Sequence, residues 1–227
     1  MHLPISDKIE LNILHQNSHQ AEKNKVKFNN YNLLCLNIMS SPGAGKTRLL
    51  EITLEDLSKE FQSAVLEGDM TTNLDAARLE KLNIPVVPIT TGRACHLDAN
   101  MVSGGLKLLE KKINPHILDI LLVENVGNLV CPAEFEIGEH FKVALLSITE
   151  GEDKPLKYPI MFREADLILI TKVDLLPHLN FDINELKSNI SSTNPKADVI
   201  EISSITKSGF DLWQDWISKK ILKFKNN

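Results

Sequence analysis

The sequence predicts an α/β fold, a doubly wound, mostly parallel sheet flanked by helices. Continuous apolar runs such as ILLVENV (120–126), VALLSIT (143–149) and ADLILIT (165–171) recur along the chain. Strands apolar on both faces belong to parallel sheets covered by helices on each side. Stretches with helical spacing of apolar residues separate these runs, the alternation that marks α/β proteins. The third observation is SSPGAGKT (40–47), a Gly-rich turn between a predicted strand and a predicted helix, the context in which such a loop cradles phosphate.

In chain order, LLCLNIM (33–39) reads as the first strand, and a helix with Leu49, Leu50, Ile52, Leu54 and Leu57 on its apolar stripe runs to about Phe61. SAVLEG (63–68) is a strand, followed by a helical stretch near Leu74–Leu82. PVVPIT (85–90) is a strand, and Leu97–Ile113 a long helix. The runs at 120–126, 143–149 and 165–171 follow, then the shorter VIEIS (199–203). Phe210–Phe224 is an amphipathic helix carrying Trp213, Trp216, Ile217, Ile221 and Leu222. Cys35 sits inside a buried strand and reads as a small core residue. Residues 1–30 are polar and carry His2, His15 and His19. They are expected to form a solvated, partly helical arm, with residues 31–227 as the nucleotide-binding domain. His15 and His19 would share a helix face, but no cysteine or carboxylate joins them to complete a metal site.

With 25 basic and 30 acidic residues, the net charge is −5. That balance argues against a nucleic-acid partner. No apolar run approaches the ~18 residues of a membrane span, and the first residues lack the basic-then-apolar pattern of a signal peptide. Three cysteines make a disulfide framework unfavourable. The expectation is a reduced, cytoplasmic protein with free or metal-bound thiols.

In SSPGAGKT, Gly43 and Gly45 let backbone N–H groups converge on an anion. The helix that follows directs its positive end to the same place. Gly43, Ala44, Gly45, Lys46, Thr47 and Arg48 form the expected cradle, with Lys46 on the β- and γ-phosphates and the Thr47 hydroxyl on Mg²⁺. Ser40 stands where the strict pattern has glycine. Ligands of a doubly wound sheet lie at the carboxyl ends of its strands. Asp69 and Glu124 end two of them and offer the hard oxygen donors that Mg²⁺ takes; with Lys46 they are the expected catalytic groups. Gly127 would let a backbone N–H approach the γ-phosphate. In ILITKVD (168–174), Asp174 can accept from N1–H and the N2 amine of guanine, which adenine cannot offer. Lys172 would lie along the base, and Ser203 and Ser204 would buttress its edge. The cofactor expected is therefore GTP or GDP with Mg²⁺. Cys95, His96 and Cys131 lie on loops after the third and fourth strands. Two thiolates and an imidazole suit Zn²⁺ or Ni²⁺, and three ligands leave a tetrahedral site open.

This order of motifs resembles the SIMIBI class of P-loop GTPases. Within that class, SSPGAGKT, TTGRACHLDA (90–99) and ENVGNLVCPAEFEIGE (124–139) resemble the HypB family of hydrogenase nickel incorporation proteins. The resemblance spans about residues 33–220. It implies a GTPase metallochaperone that hydrolyses GTP and controls nickel delivery in [NiFe]-hydrogenase maturation. It also implies a homodimer sharing metal through Cys95, His96 and Cys131, with Lys157 reaching the nucleotide of the other subunit. The nickel chaperone HypA and the hydrogenase large-subunit precursor are its implied partners. The N-terminal cysteine motif and His-rich stretch of some relatives are absent from this sequence, leaving Cys95, His96 and Cys131 as the principal site. Thr171 replaces the asparagine of many GTPases and so removes an amide that supports the loop. Three other readings share part of the pattern. A urease-type nickel chaperone carries Cys-Pro-His instead. A P-loop small-molecule kinase needs an acceptor and no guanine reader. A metal-storage module would show no GTPase activity.

Overall fold

Strand β1 (Leu34–Ser40) lies fourth in a seven-stranded sheet of order β3-β2-β4-β1-β5-β6-β7. Every neighbouring pair is parallel. The computed structural model describes residues 5–69 and 74–226; His2 lies outside them, as do residues 70–73. The other strands are β2 (Ser63–Asp69), β3 (Val86–Thr90), β4 (Ile120–Glu124), β5 (Phe141–Ser147), β6 (Leu167–Thr171) and β7 (Asp198–Ile202). The helices are α1 (Ile5–Asn30), α2 (Lys46–Leu57), α3 (Leu74–Glu80), α4 (Ala99–Lys112), α5 (Cys131–Glu134), α6 (Lys154–Lys157), α7 (Pro159–Glu164), α8 (Ile183–Thr193) and α9 (Phe210–Lys225). The chain leaves β1 toward β2 on one side and continues to β5, β6 and β7 on the other. That reversal places the ligand crevice at the carboxyl end of β1.

Strand periodicity divides the core. Leu34, Leu36 and Ile38 face a cluster with Leu49, Leu50, Trp213 and Ile217 of α2 and α9. Leu33 and Cys35 face Phe28, Leu106 and Leu109 of α1 and α4. Farther along the second face, Met39, Leu146 and Ile170 meet Phe162 and Leu186 of α7 and α8. The indole of Trp213 is fully buried and donates to Thr53 Oγ1 at 2.9 Å, so α9 is pinned to α2 by a satisfied polar group.

Helix α1 departs from the expected solvated arm. Asn17, Ala21, Asn24 and Phe28 form a buried stripe at helical spacing. Asn17 accepts from the Ala99 N–H at 2.9 Å and donates to the Glu136 carbonyl at 2.8 Å. Asn24 donates to the carbonyls of Ala99 and Ile137 at 2.7 and 2.9 Å. A seam that is half amide has no hydrophobic signature, so composition reads it as solvated. His15 and His19 are on the exposed face of this helix.

The element ends also shift. β4 stops at Glu124, two residues before the end of its apolar run; the Asn125 N–H still donates to the Ile38 carbonyl of β1 at 3.0 Å, while its side-chain oxygen accepts from the Leu97 and Val126 amides. Helix α4 starts at Ala99 because Asp98 caps it, accepting from the Met101 N–H at 2.7 Å. Helix α8, between β6 and β7, is absent from the sequence expectation. Its signal is Asp182, which caps the amides of Asn184 and Glu185. Among the described residues, no helix is long and apolar enough to cross a membrane.

Candidate functional site

A cavity of about 410 Å³ opens at the carboxyl end of β1, lined by the Gly-rich loop and by the ends of β2 and β4. Gly43 and Gly45 take φ of 78° and 103°, left-handed values that side chains rarely tolerate. Gly45 also ends α2 at its amino side. Lys46 is buried, and its ammonium donates to Ser40 Oγ at 3.0 Å. Burial lowers the Lys46 pKa, opposed by the surrounding carboxylates of Glu124, Asp75, Glu67 and Glu150. The Ser40 hydroxyl therefore gives Lys46 a partner where glycine could not. Thr47 Oγ1 donates to Glu124 Oε1 at 2.7 Å. Glu124 Oε2 is buried with no partner, and burial pushes this carboxyl up to about 7.

Asp69 lines the same cavity, as does Gly127. At Gly127 the glycine requirement is steric: a Cβ would lie 2.9 Å from Pro42 Cα and 3.0 Å from Pro42 N. The loop after β4 is thereby laid directly on the Gly-rich loop, and the Asn128 N–H donates to the Ser40 carbonyl at 2.7 Å.

A second, more apolar cavity of about 280 Å³ adjoins the first, lined by Ala44, Arg48, Lys172, Asp174, Ser204 and Ile205 among others. Lys172, at φ 61°, turns its side chain back so that Nζ donates to the Gly43 carbonyl at 2.7 Å. The fully buried Ser203 donates to Asp174 Oδ1 and accepts from the Ile205 and Thr206 amides. It thus fixes the carboxylate and the following loop, while Ser204 faces the cavity. Thr171 corrects the expected loss of loop support: its Oγ1 donates to the Ala44 carbonyl at 2.8 Å, doing with a hydroxyl what the amide would do. Lys157 lies in neither cavity. It is exposed on α6 and paired with Asp153.

Cys95, His96 and Cys131 come together, their ligand atoms all within 4.8 Å of one another. Among the described residues they are the one group of three or more His, Cys, Asp or Glu so placed. The Cys95 thiol donates to Cys131 Sγ at 3.0 Å, and His96 Nδ1 is 3.7 Å from Cys95 Sγ. The His96 ring packs on Phe135 with centroids 4.0 Å apart. Burial holds the His96 pKa down, and burial with the Cys95 contact pushes Cys131 up to about 11. A soft divalent ion displaces such protons from its ligands. The loops do not come from neighbouring strands, because β2 lies between β3 and β4. The 91–97 segment crosses the end of β2 at Gly68, where the Leu97 side chain occupies the space a Cβ would need, 2.7 Å away.

Sequence reasoning missed several residues here. Glu67, Asp75, Arg78 and Asn125 all line the larger cavity. Glu67 is the in-register neighbour of Glu124; burial and nearby Glu124 push it up to about 8. A carboxylate inside the apolar run SAVLEG is the signal that marks it. Arg78 is held bidentate by Glu51 at 2.8 Å on each arm and bonds Asp75 at 3.0 Å.

The CobW/HypB/UreG nucleotide-binding domain model matches residues 34–201. The hydrogenase maturation factor HypB of Azotobacter vinelandii is 47% identical over 213 residues, covering 94% of this chain and 69% of the relative. The probable hydrogenase maturation factor HypB of Methanocaldococcus jannaschii is 37% identical over 225 residues, 99% of this chain and all of that one. The crystal structure of Helicobacter pylori HypB in complex with nickel superimposes with a TM-score of 0.87 at 39% identity, over 92% of this chain and 96% of that one. A Gly-rich loop between strand and helix, a strand-end carboxylate beneath it and this likeness over nearly the full length have one reading: the chain belongs to the CobW/HypB/UreG family of nucleotide-binding proteins and, within it, to the HypB hydrogenase maturation factors.

Proposed function

We propose that the protein hydrolyses GTP to GDP and phosphate and uses its nucleotide state to govern nickel delivery in [NiFe]-hydrogenase maturation. One observation carries this reading. The thiol–imidazole cluster and the phosphate cavity share the carboxyl end of β4, where residues 125–130 join Glu124 to Cys131. A change at the phosphates therefore has a short mechanical route to a metal ligand.

In this reading residues 31–227 form the GTPase domain and α1 docks on it. The phosphates lie over Gly43–Arg48 and Gly127, and guanine fills the smaller cavity against Lys172, Asp174 and Ser204, with Ser203 aligning Asp174. Mg²⁺ would be held by Thr47, Asp69 and Glu124, and the partnerless buried oxygen of Glu124 fits that assignment. When bound, this ion neutralises charge on the β- and γ-phosphates. Lys46 stabilises the same charge from the other side. Nickel, or zinc, is cargo for Cys95, His96 and Cys131. Three ligands leave room for a second copy of the chain to complete the shell, which favours a homodimer, and exposed Lys157 would exchange its Asp153 partner for the partner subunit's nucleotide. Nickel would arrive from the nickel chaperone HypA and leave toward the hydrogenase large-subunit precursor.

The test is GTP turnover by the purified protein with no acceptor added, combined with Ni²⁺ titration in GDP and in a non-hydrolysable GTP analogue. Phosphate release and two different Ni²⁺ affinities are expected. No turnover without an acceptor refutes the GTPase reading, and equal Ni²⁺ affinities refute the switch.

A further inference from the structure

Asn125 is fully buried between the two sites and uses every polar atom of its side chain. Its Oδ1 accepts from the Leu97 and Val126 amides, each at 2.9 Å. Its Nδ2 donates to Asn37 Oδ1 at 3.1 Å, which anchors it to β1. Leu97 directly follows His96, and Val126 lies between Glu124 and Gly127. One carboxamide oxygen therefore holds the end of the metal loop and the start of the loop that lies on the phosphate cradle. Asn125 itself lines the larger cavity.

The metal loop is also tied to β2 at two points and, through the Cys95–Cys131 contact and the His96 ring on Phe135, to the chain beyond β4. The Thr91 N–H donates to the Asp69 carbonyl at 2.9 Å, and Leu97 packs over Gly68. Asn125 is the tie that reaches β4, the strand that carries Glu124. A backbone shift at Val126 cannot leave both of its accepted bonds in good geometry, because hydrogen bonds weaken steeply with misalignment. Either the Leu97 amide follows, moving His96 and Cys95, or a buried amide is left unpaired at about 1–3 kcal/mol.

We infer that Asn125 is the positioning residue that sets the geometry of Cys95 and His96 according to the nucleotide bound, an inference that rests on the coupling proposed above. Asn125→Asp separates this role from general packing. An aspartate keeps both accepted bonds, loses the donation to Asn37 and adds a buried negative charge beside Glu124; the ratio of two affinities within one variant cancels any effect of that charge common to both nucleotide states. Asn125→Ala loses all of them.

The experiment is isothermal titration of Ni²⁺ into parent, Asn125→Ala and Asn125→Asp proteins, each loaded with GDP and then with the non-hydrolysable GTP analogue. The parent's two Ni²⁺ affinities should differ by roughly 5–150-fold. Asn125→Asp should keep that ratio, and Asn125→Ala should reduce it to less than about twofold. Amide hydrogen exchange of the metal-free parent adds a measurement that needs no substitution: Leu97 protection should differ between the two nucleotide states. A parent ratio that survives in Asn125→Ala overturns the inference and leaves the GTPase switch standing, as does Leu97 protection identical in both states. Equal Ni²⁺ affinities in the parent overturn the switch and this inference together.

Discussion

Replacing Gly127 by alanine adds one methyl group against the backbone of Pro42. Its Cβ would meet Pro42 Cα at 2.9 Å and Pro42 N at 3.0 Å, where ordinary contact begins at 3.4 Å. Backbone on both sides must yield by about 0.5 Å, and overpacking of this kind costs roughly 1–3 kcal/mol. Pro42 leads directly into Gly43, so the displaced amides are those that would face phosphate. The cost surfaces in one of two places. If the Gly-rich loop yields freely and nucleotide requires the original position, GDP binds roughly 5–150-fold more weakly. If the loop does not yield, the whole cost falls on folding, and Tm drops by roughly 2–12 °C for a domain of this size. Equilibrium titration with a fluorescent GDP derivative, alongside thermal melts with and without nucleotide, measures both. An unchanged Tm together with a Kd within twofold of the parent would show that the loop after Glu124 opens at no cost. The idea that it is pressed onto the phosphate cradle would then be wrong.

Lys46→Ala should lower GTP hydrolysis by roughly 100-fold or more while leaving the circular dichroism spectrum intact; turnover at the parent rate would remove Lys46 from the phosphate site. Asp174→Asn should weaken GTP binding by about 10–100-fold, the worth of a charged hydrogen bond, and improve XTP relative to GTP, as read by competition; unchanged selectivity would show that Asp174 does not touch the base. His140 accepts from the Cys35 N–H at 2.9 Å and bonds Asn29 Oδ1 at 2.9 Å, and burial holds its pKa down to about 4. The depressed value means its stabilisation is complete above the ordinary pKa of 6.5 and is lost as pH falls through about 4. The interval corresponds to at most about 3 kcal/mol, less for a partly exposed ring. Denaturant melts of His140→Gln between pH 7 and 4 should show a shallower acid slope than the parent, and parallel slopes would refute the assignment.

The five inner strands of this protein are legible in its sequence because they are buried on both faces and read as apolar runs, whereas the edge strands β3 and β7 are partly exposed and read more weakly. The proposed phosphate cradle is legible because its glycines and its lysine have fixed spacing. What escapes the sequence is held by polar groups whose partners are distant. Asn17 and Asn24 dock α1 through amide-to-carbonyl bonds that span 75 to 119 residues, and no periodic hydrophobic signal accompanies them. Thr171 looks like a loss until its hydroxyl is seen on the Ala44 carbonyl. Asn125 reads as an ordinary loop residue in VENVG, and its role depends on Leu97, 28 residues away. Asp182, by contrast, stands three residues before Glu185, a local helix-start signal that is readable in the sequence itself.

The strand order explains why Cys95, His96 and Cys131 meet where they do. Cys95 and His96 follow β3, Cys131 follows β4, and β2 separates those two strands. A ligand set drawn from both loops must cross the carboxyl end of β2, and that end carries Asp69. Gly68 makes the crossing possible, because any side chain there would strike Leu97. The loops after β3 and β4 can meet only by passing over β2, a strand that lines the larger cavity. The proximity of the two sites is therefore a consequence of threading β2 between β3 and β4. Asn125 adds to that proximity a directional bond that movement at the phosphates can strain.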